Sequence, residues 1–442
     1  MSHLTITGGE IVDLRFPTSE EAHGSDAVHV DPDYSAAYVT LKTGAAGLSG
    51  HGFTFTIGRG NEIVCRAIDS LLPLVTGRKL DEIVRDRRGF WRSLAQDSQF
   101  RWLGPEKGVM QLALAAVVNA VWDLEARAVG KPLWKMLSEM PAEELVAAVD
   151  LHGIRDALDE DGLLAMLRAN DPTRRERIER MEAEGFPAYT TSCGWLGYSD
   201  ATIRARCREA LADGFTWFKM KIGQDLADDL RRAAIIREEI GPDAVLMVDA
   251  NQRFDVRQAI DWIRPLAKFN LFWFEEPVSP DDVLGHAEIA RAIEPIRVAT
   301  GEQCQNRVMF KQFLASGGMR ICQLDSCRVG GVNDNLAIMG LARRFGVSVC
   351  PHAGGVGLCE LVAHLVMVDY VRFNPTLDGR TCEFVDHLHE HFVDPCVVKG
   401  GRYLAPRQPG YSGEIKRESL AAFAFPHGPE WQRRLAARKG TR

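Results

Sequence analysis

None of the ten cysteines stands in a Cys-x-x-Cys pair; Cys65, Cys193, Cys207 and the others are scattered singly along the 442 residues. Cysteines so placed read as small buried side chains in a reducing compartment, and the cytosol is the expected location. No run approaches about 18 consecutive apolar residues, so no membrane span is expected. The opening Met1-Ser2-His3-Leu4-Thr5 lacks a basic stretch leading into an apolar one, so no secretory leader is expected either. An excess of positive charge is missing too. With 53 basic and 60 acidic residues the formal net charge is −7, and the isoelectric point is about 6.0. That balance disfavours a nucleic-acid partner. What is present is ordinary: 46% hydrophobic and 26% charged residues and a mean hydropathy of −0.14, the profile of a globular protein with a large core. The length is about three times a ~150-residue domain, which predicts one to three domains.

Strand-like segments at 6–12, 37–41 and 52–57 come first, with glycine-rich breaks between them. Helical periodicity follows at 61–76, 80–94 and 108–129, the last strongly apolar. Residues 1–150 therefore read as an α+β domain. A charged stretch at about 154–185, with Arg174-Arg175-Glu176-Arg177, reads as a solvated helix or insertion. From about Pro187 short apolar runs alternate with amphipathic helices. The strand-length runs are 188–192, 215–222, 244–248, 271–274, 296–299, 320–324, 347–350 and 382–385. Eight strand–helix units in about 200 residues predict an α/β fold, a (β/α)8 barrel over 185–395, although counting alone leaves a doubly wound sheet open. The tail after about Tyr403 shows no periodicity, and its basic end from Trp431 reads as a frayed terminus.

Nearly every predicted barrel strand ends in an ionisable residue. Strand two ends in Lys219 and Lys221, strand three in Asp249 and Asn251, and strand four in Glu275-Glu276. Glu302, Asp325, His352 and Glu383 end strands five to eight, and the steps along this series are 23 to 31 residues, one βα unit each. The carboxyl ends of barrel strands meet on one face, so these positions are expected to converge. Singly, an Asp there is a turn former and a Lys an edge charge. Their shared phase is what those readings leave unexplained. Convergent carboxylates need a cation, and hard oxygen donors select Mg2+ or Mn2+. Asp249, one of the adjacent pair Glu275 and Glu276, and Glu302 form the expected metal set. Only one of the pair faces the barrel, because successive strand residues point to opposite faces. Lys219 and Lys221, two apart, share a face, and mutual repulsion is expected to lower a pKa and make a base. Asp325 and His352 suit a dyad in which the carboxylate orients the imidazole. His387, His389 and His391 follow the site rather than line it, and no second metal is expected there.

The Lys-x-Lys, the three carboxylates and the Asp and His on successive strands resemble the enolase superfamily, in its mandelate racemase-like subgroup. Within it the segments Arg15-Phe16-Pro17-Thr18-Ser19, His29-Val30-Asp31-Pro32-Asp33-Tyr34-Ser35, Ala188-Tyr189-Thr190-Thr191-Ser192-Cys193 and Cys350 to Glu360 are similar to the L-fuconate dehydratase group. The resemblance implies a modified barrel of β7α type and an N-terminal capping domain completed by the tail at about 400–442. It also selects Glu275 as the metal ligand. Its chemistry would be dehydration of a six-carbon sugar acid through an ene-diolate, with Mg2+ or Mn2+ as cofactor. Lys221 would be the base, tuned by Lys219, with His352, held by Asp325, as the acid on the departing 3-hydroxyl. Asn251 and Glu383 would bind substrate. A lid loop bearing Gly24, Ser25, Asp26 and Tyr34 would read the distal hydroxyls and exclude water. Trp195 could pack on substrate or in the core. A homo-oligomer is expected. Racemisation or epimerisation on the same scaffold, and a non-catalytic binding protein, remain alternatives.

Overall fold

A computed structural model describes residues 4–20 and 24–440. Three strands, β1 (Ile6–Arg15), β2 (Ser35–Thr43) and β3 (Ser49–Thr56), form an antiparallel sheet in that order. The long apolar helix Gly108–Ala128 lies across it, and the strand and helix backbones come unusually close. A Cβ at Gly50 or Gly52 would lie 2.1 or 2.2 Å from a carbonyl oxygen of this helix, Ala120 or Ala116. That approach is why β3 carries glycines at alternate positions. The helix is long and apolar enough to cross a membrane, which the absence of an unbroken apolar run had not suggested, but 89% of that stretch is buried inside the protein. It is a core helix. Asn119 and Trp122 on it bond to Ser326 and Asn333, fastening the first domain to the second.

The predicted helix 80–94 is two helices, Leu80–Arg85 and Arg87–Ala95. Asp86 breaks it: its backbone leaves the helical region and its carboxylate caps the second helix by accepting from Gly89 N at 2.8 Å. The 154–185 stretch is also two helices, Glu160–Asn170 and Arg174–Glu184, and it is more than a solvated insertion. Leu163, Leu167, Ile178 and Met181 are buried, and the buried Arg177 donates to Val371 O at 2.8 Å.

The second unit carries eight parallel strands: β4 (Phe186–Gly194), β5 (Trp217–Lys221), β6 (Val245–Asp249), β7 (Leu271–Glu275), β8 (Arg297–Thr300), β9 (Ile321–Cys322), β10 (Ser348–Val349) and β11 (Cys382–Phe384). The ladder runs from β10 back to β4, and β11 pairs with β4's other edge. Seven helices link the eight strands. After β11 the chain instead forms two short strands, β12 (Val398–Lys399) and β13 (Arg402–Tyr403), the second antiparallel to β4. This is the modified barrel expected, and the antiparallel β13 makes its sheet mixed. Tyr189, Met247, Trp273, Ala299, Ile321 and Cys350 fill its interior. Because strand side chains alternate, the inward residues two beyond Met247 and Trp273 are Asp249 and Glu275. The apolar plug and the polar site are consecutive layers of one barrel.

Through Gly440 the C-terminal segment is helical and docked, against the reading of it as frayed. Helices Arg417–Phe423 and Pro429–Gly440 return to the first sheet. Phe425 N donates to Asp13 O at 2.8 Å, and the buried Trp431 donates its indole N–H to Arg15 O at 2.9 Å. Trp431→Ala is expected to cost about 3 kcal/mol in denaturant unfolding. Unchanged stability would mean that the terminus is frayed after all.

Candidate active site

The charged strand ends meet as their spacing predicted. Lys219 Nζ lies 2.5 Å from Glu275 Oε1, 2.8 Å from Glu383 Oε1 and 3.4 Å from Asp249 Oδ2. Lys221 Nζ donates to Asp249 Oδ2 at 2.6 Å and to Asn251 Oδ1 at 2.8 Å. Both lysines therefore project inward from β5. Glu275 is the inward member of its pair, and its second oxygen accepts from Trp273 Nε1 at 3.0 Å. Glu276, also buried, turns to the Gln252 amide at 2.8 Å. Across the barrel, Asp325 and His352 form a parallel bridge, and His352 Nδ1 meets Asp325 Oδ2 at 2.8 Å. The other Asp325 oxygen accepts from Cys327 N and Arg328 N, so the carboxylate that orients the ring is itself held. With Nδ1 engaged, Nε2 is the free edge of the imidazole, 3.7 Å from Glu302 Oε2. Glu383 accepts from Ala353 N at 2.7 Å, which ties β11 to the His352 loop.

The electrostatics correct one expectation. Repulsion between the two lysines was expected to lower a pKa, but both are raised. Burial presses both downward and the Lys219 ammonium presses on Lys221, yet Glu275, Glu383 and Asp249 outweigh this at Lys219, and Asp249 with Asp26 and Glu302 at Lys221. Burial likewise resists ionisation of Asp249 and Glu383, but the lysines hold Asp249 below the usual range, and Lys219 with His352 brings Glu383 to about 2. Glu275 goes the other way, pushed up to about 8 by burial and then by Asp249. His352 rises to about 10 against the pull of burial, through Glu302, Asp325 and Glu383.

Glu275 is thus a buried carboxyl among other carboxylates with too little positive charge beside it. A divalent cation would supply that charge, and the all-oxygen donor set of Asp249, Glu275 and Glu302 suits a hard ion. Among the described residues the three carboxylates do not bring one oxygen each within 4.8 Å of the others. The Lys219 ammonium stands between Asp249 and Glu275 instead.

A cavity of about 310 Å³ opens over this floor, lined by Lys219, Lys221, Asn251, Glu302, Asp325, His352 and Glu383. Gly24, Asp26 and Tyr34 of the first domain roof it. Asp26 organises the lid by accepting from Val28 N and His29 N and meeting His29 Nδ1 at 3.0 Å. Gly24 sits against the Tyr34 hydroxyl, where a Cβ would lie 2.2 Å away. Ser25 is not among the lining residues; its hydroxyl donates to Val30 O at 3.3 Å. It is a neighbour of the lid's inner face, not part of it. Trp195 lines the cavity, 5.8 Å from Lys221 Nζ, so it belongs to the site rather than the core. Sequence reasoning passed over His29, Thr54, Thr56, Arg59 and Arg328. Alternation along β3 could have placed Thr54 and Thr56 on one face, whereas Arg59 and Arg328 sit in loops without periodicity.

Residues 27–138 match the mandelate racemase / muconate lactonizing enzyme N-terminal domain, and residues 202–419 match the enolase C-terminal domain-like family. The crystal structure of human mitochondrial enolase superfamily member 1 superposes with a TM-score of 0.96 at 52% identity, covering 98% of each chain. The chain belongs to the enolase superfamily. L-galactonate dehydratase of Hypocrea jecorina is 49% identical over 98% of this chain and 97% of its own. A Streptomyces coelicolor racemase solved with bound magnesium matches at 25% identity and a TM-score of 0.73, covering 95% of this chain and 99% of its own. With the 3,6-anhydro-alpha-L-galactonate cycloisomerase of Streptomyces coelicolor also similar, at 26% identity over 86% of this chain and 88% of its own, the relatives support an enzyme of the acid-sugar dehydratase and cycloisomerase kind rather than a non-catalytic binding protein.

Proposed function

We propose that this enolase-superfamily enzyme is a Mg2+-dependent dehydratase that converts L-fuconate to its 2-keto-3-deoxy acid. One observation carries the reading. A lysine pair and an Asp–His dyad face one cavity from opposite walls, above a floor of buried carboxylates. Asp249, Glu275 and Glu302 would hold a Mg2+, which would supply positive charge to the substrate carboxylate and make the C2 proton more acidic. Lys221, above the floor, takes that proton as the neutral amine; a cation on Asp249 would offset the carboxylate that holds Lys221 protonated. Lys219, anchored on Glu275 and Glu383, keeps a fixed positive charge next to it and contacts the carboxylate. His352, oriented by Asp325, delivers a proton from Nε2 to the 3-hydroxyl, which leaves as water; the enol then becomes the ketone. Asn251 and Glu383 position the substrate, and the Gly24, Asp26 and Tyr34 lid excludes bulk water.

L-Fuconate is L-galactonate without its 6-hydroxyl, so the relative named for L-galactonate supports the same arrangement of C2 and C3. The two acids are the first pair to compare. Ten free cysteines among the described residues suit a reducing compartment, in keeping with a cytosolic enzyme. A second reading, racemase or epimerase, is favoured by the same two-walled placement of Lys221 and His352, which could exchange a proton on either face of C2.

Glu275→Gln keeps the shape and removes the charge. It is expected to weaken Mg2+ binding, measured calorimetrically, by more than about 100-fold and to end metal-dependent turnover while the unfolding transition stays close to wild type. Full activity in EDTA would remove the metal from the reaction.

A further inference from the structure

Behind the cavity wall lies a second cluster of ligating groups that the reaction does not use. Cys359, His389 and Cys396 bring one ligand atom each within 4.8 Å of one another. They are 30 and 7 residues apart in sequence, so no motif announces them. Cys359 and Glu360 stand at the start of helix Leu358–Val368, His389 lies in the single turn His389–His391 after β11, and Cys396 precedes β12. Of the three alternating histidines only His389 takes part; His391 Nδ1 meets Ser419 Oγ at 3.0 Å and its ring packs on Phe16.

The hydrogen bonds around His389 point to a ligand. Its Nε2 lies 2.7 Å from the carbonyl of Val385, an acceptor only, so that nitrogen carries a proton. Nδ1 faces Glu360 Oε1 at 2.7 Å and Cys396 Sγ at 3.5 Å, so without a metal the ring is an imidazolium that donates to Glu360. A ring N–H held by a backbone carbonyl, with the other nitrogen turned toward thiols and a carboxylate, is the arrangement of a metal-binding histidine. Glu360 is buried, and its second oxygen has no hydrogen-bond partner. Tetrahedral Zn2+, with Zn–S of about 2.3 Å and Zn–N of about 2.05 Å, requires S···N of about 3.5 Å, the separation found between Cys396 and His389.

We propose that Cys359, His389 and Cys396 form a zinc site, with Glu360 as the fourth ligand. Soft thiolates with an imidazole favour zinc over the magnesium that an all-oxygen site takes. On binding, the two thiols and Nδ1 release their protons to solvent, Nδ1 gives the freed lone pair to the ion, and Nε2 keeps its proton, donated to the Val385 carbonyl. Glu360 moves from 2.7 Å to about 3.4 Å from Nδ1 as the ion enters between them. His389 and Cys396 are only half-buried, which leaves an entry path from solvent. The ion would staple the chain leaving β11 to the helix that follows the His352 loop. Cys359 Sγ already lies 3.7 Å from Ala353 O, and Ala353 N holds Glu383.

The test is cobalt titration of the reduced, full-length protein. One equivalent of Co2+ is expected to give a thiolate-to-cobalt charge-transfer band and intense tetrahedral visible bands. Zn2+ is expected to abolish them and excess Mg2+ to leave them unchanged. Cys396→Ser, at a half-buried position, is expected to remove the charge-transfer band largely, and Cys359→Ser to do the same. Lys221→Ala is expected to retain it, which separates this site from the catalytic one. Absence of the band in the wild type, or its survival in both cysteine variants, would overturn the proposal.

Discussion

Lys221→Ala is expected to lower kcat by about 10²–10⁴-fold, or about 3–5 kcal/mol in the barrier, with little change in secondary structure. The size follows from the role. Lys221 is partly buried, donates to Asp249 at 2.6 Å and Asn251 at 2.8 Å, and is the lysine of its pair nearer the strand end. Nothing else on that wall offers a comparable base, since Lys219 is locked between Glu275 and Glu383. The same variant should lose exchange of the C2 hydrogen with D2O. Retained exchange would assign proton abstraction to another group.

His352→Asn should separate the two halves of the reaction. Asparagine has no proton to give to a leaving hydroxyl, so keto-acid formation is expected to fall by about 10²–10⁴-fold. Exchange of the C2 hydrogen should persist, because Lys221 is on the opposite wall and untouched. Loss of both in both variants would mean that the two residues share one proton-transfer step.

The barrel and its polar floor were legible because strand periodicity carries direction. Lys219 and Lys221, two apart, both point inward, and Asp249 and Glu275 follow Met247 and Trp273 on the same face. The choice between Glu275 and Glu276 was not legible from periodicity, since a one-residue slip swaps the faces. The sign of the lysine shifts was lost because it depends on how many carboxylates close around them, which is a tertiary fact. The loop bearing Gly24, Asp26 and Tyr34 was legible as a segment that reaches the cavity, while Ser25 falls outside the lining because a loop has no repeat to set direction. The docking of the C-terminal helix rests on Trp431 reaching Arg15, a contact across 416 residues that no local pattern encodes. The same holds for Cys359, His389 and Cys396. Scattered cysteines read as packing until the fold brings two of them to one histidine.

The most direct measurement is product analysis with L-fuconate, beside L-galactonate and other sugar acids, in the presence of Mg2+ and of EDTA. Semicarbazide trapping is expected to show a 2-keto-3-deoxy acid that forms only with the metal, fastest from L-fuconate. Change in optical rotation without any keto acid would contradict dehydration and make the enzyme an epimerase.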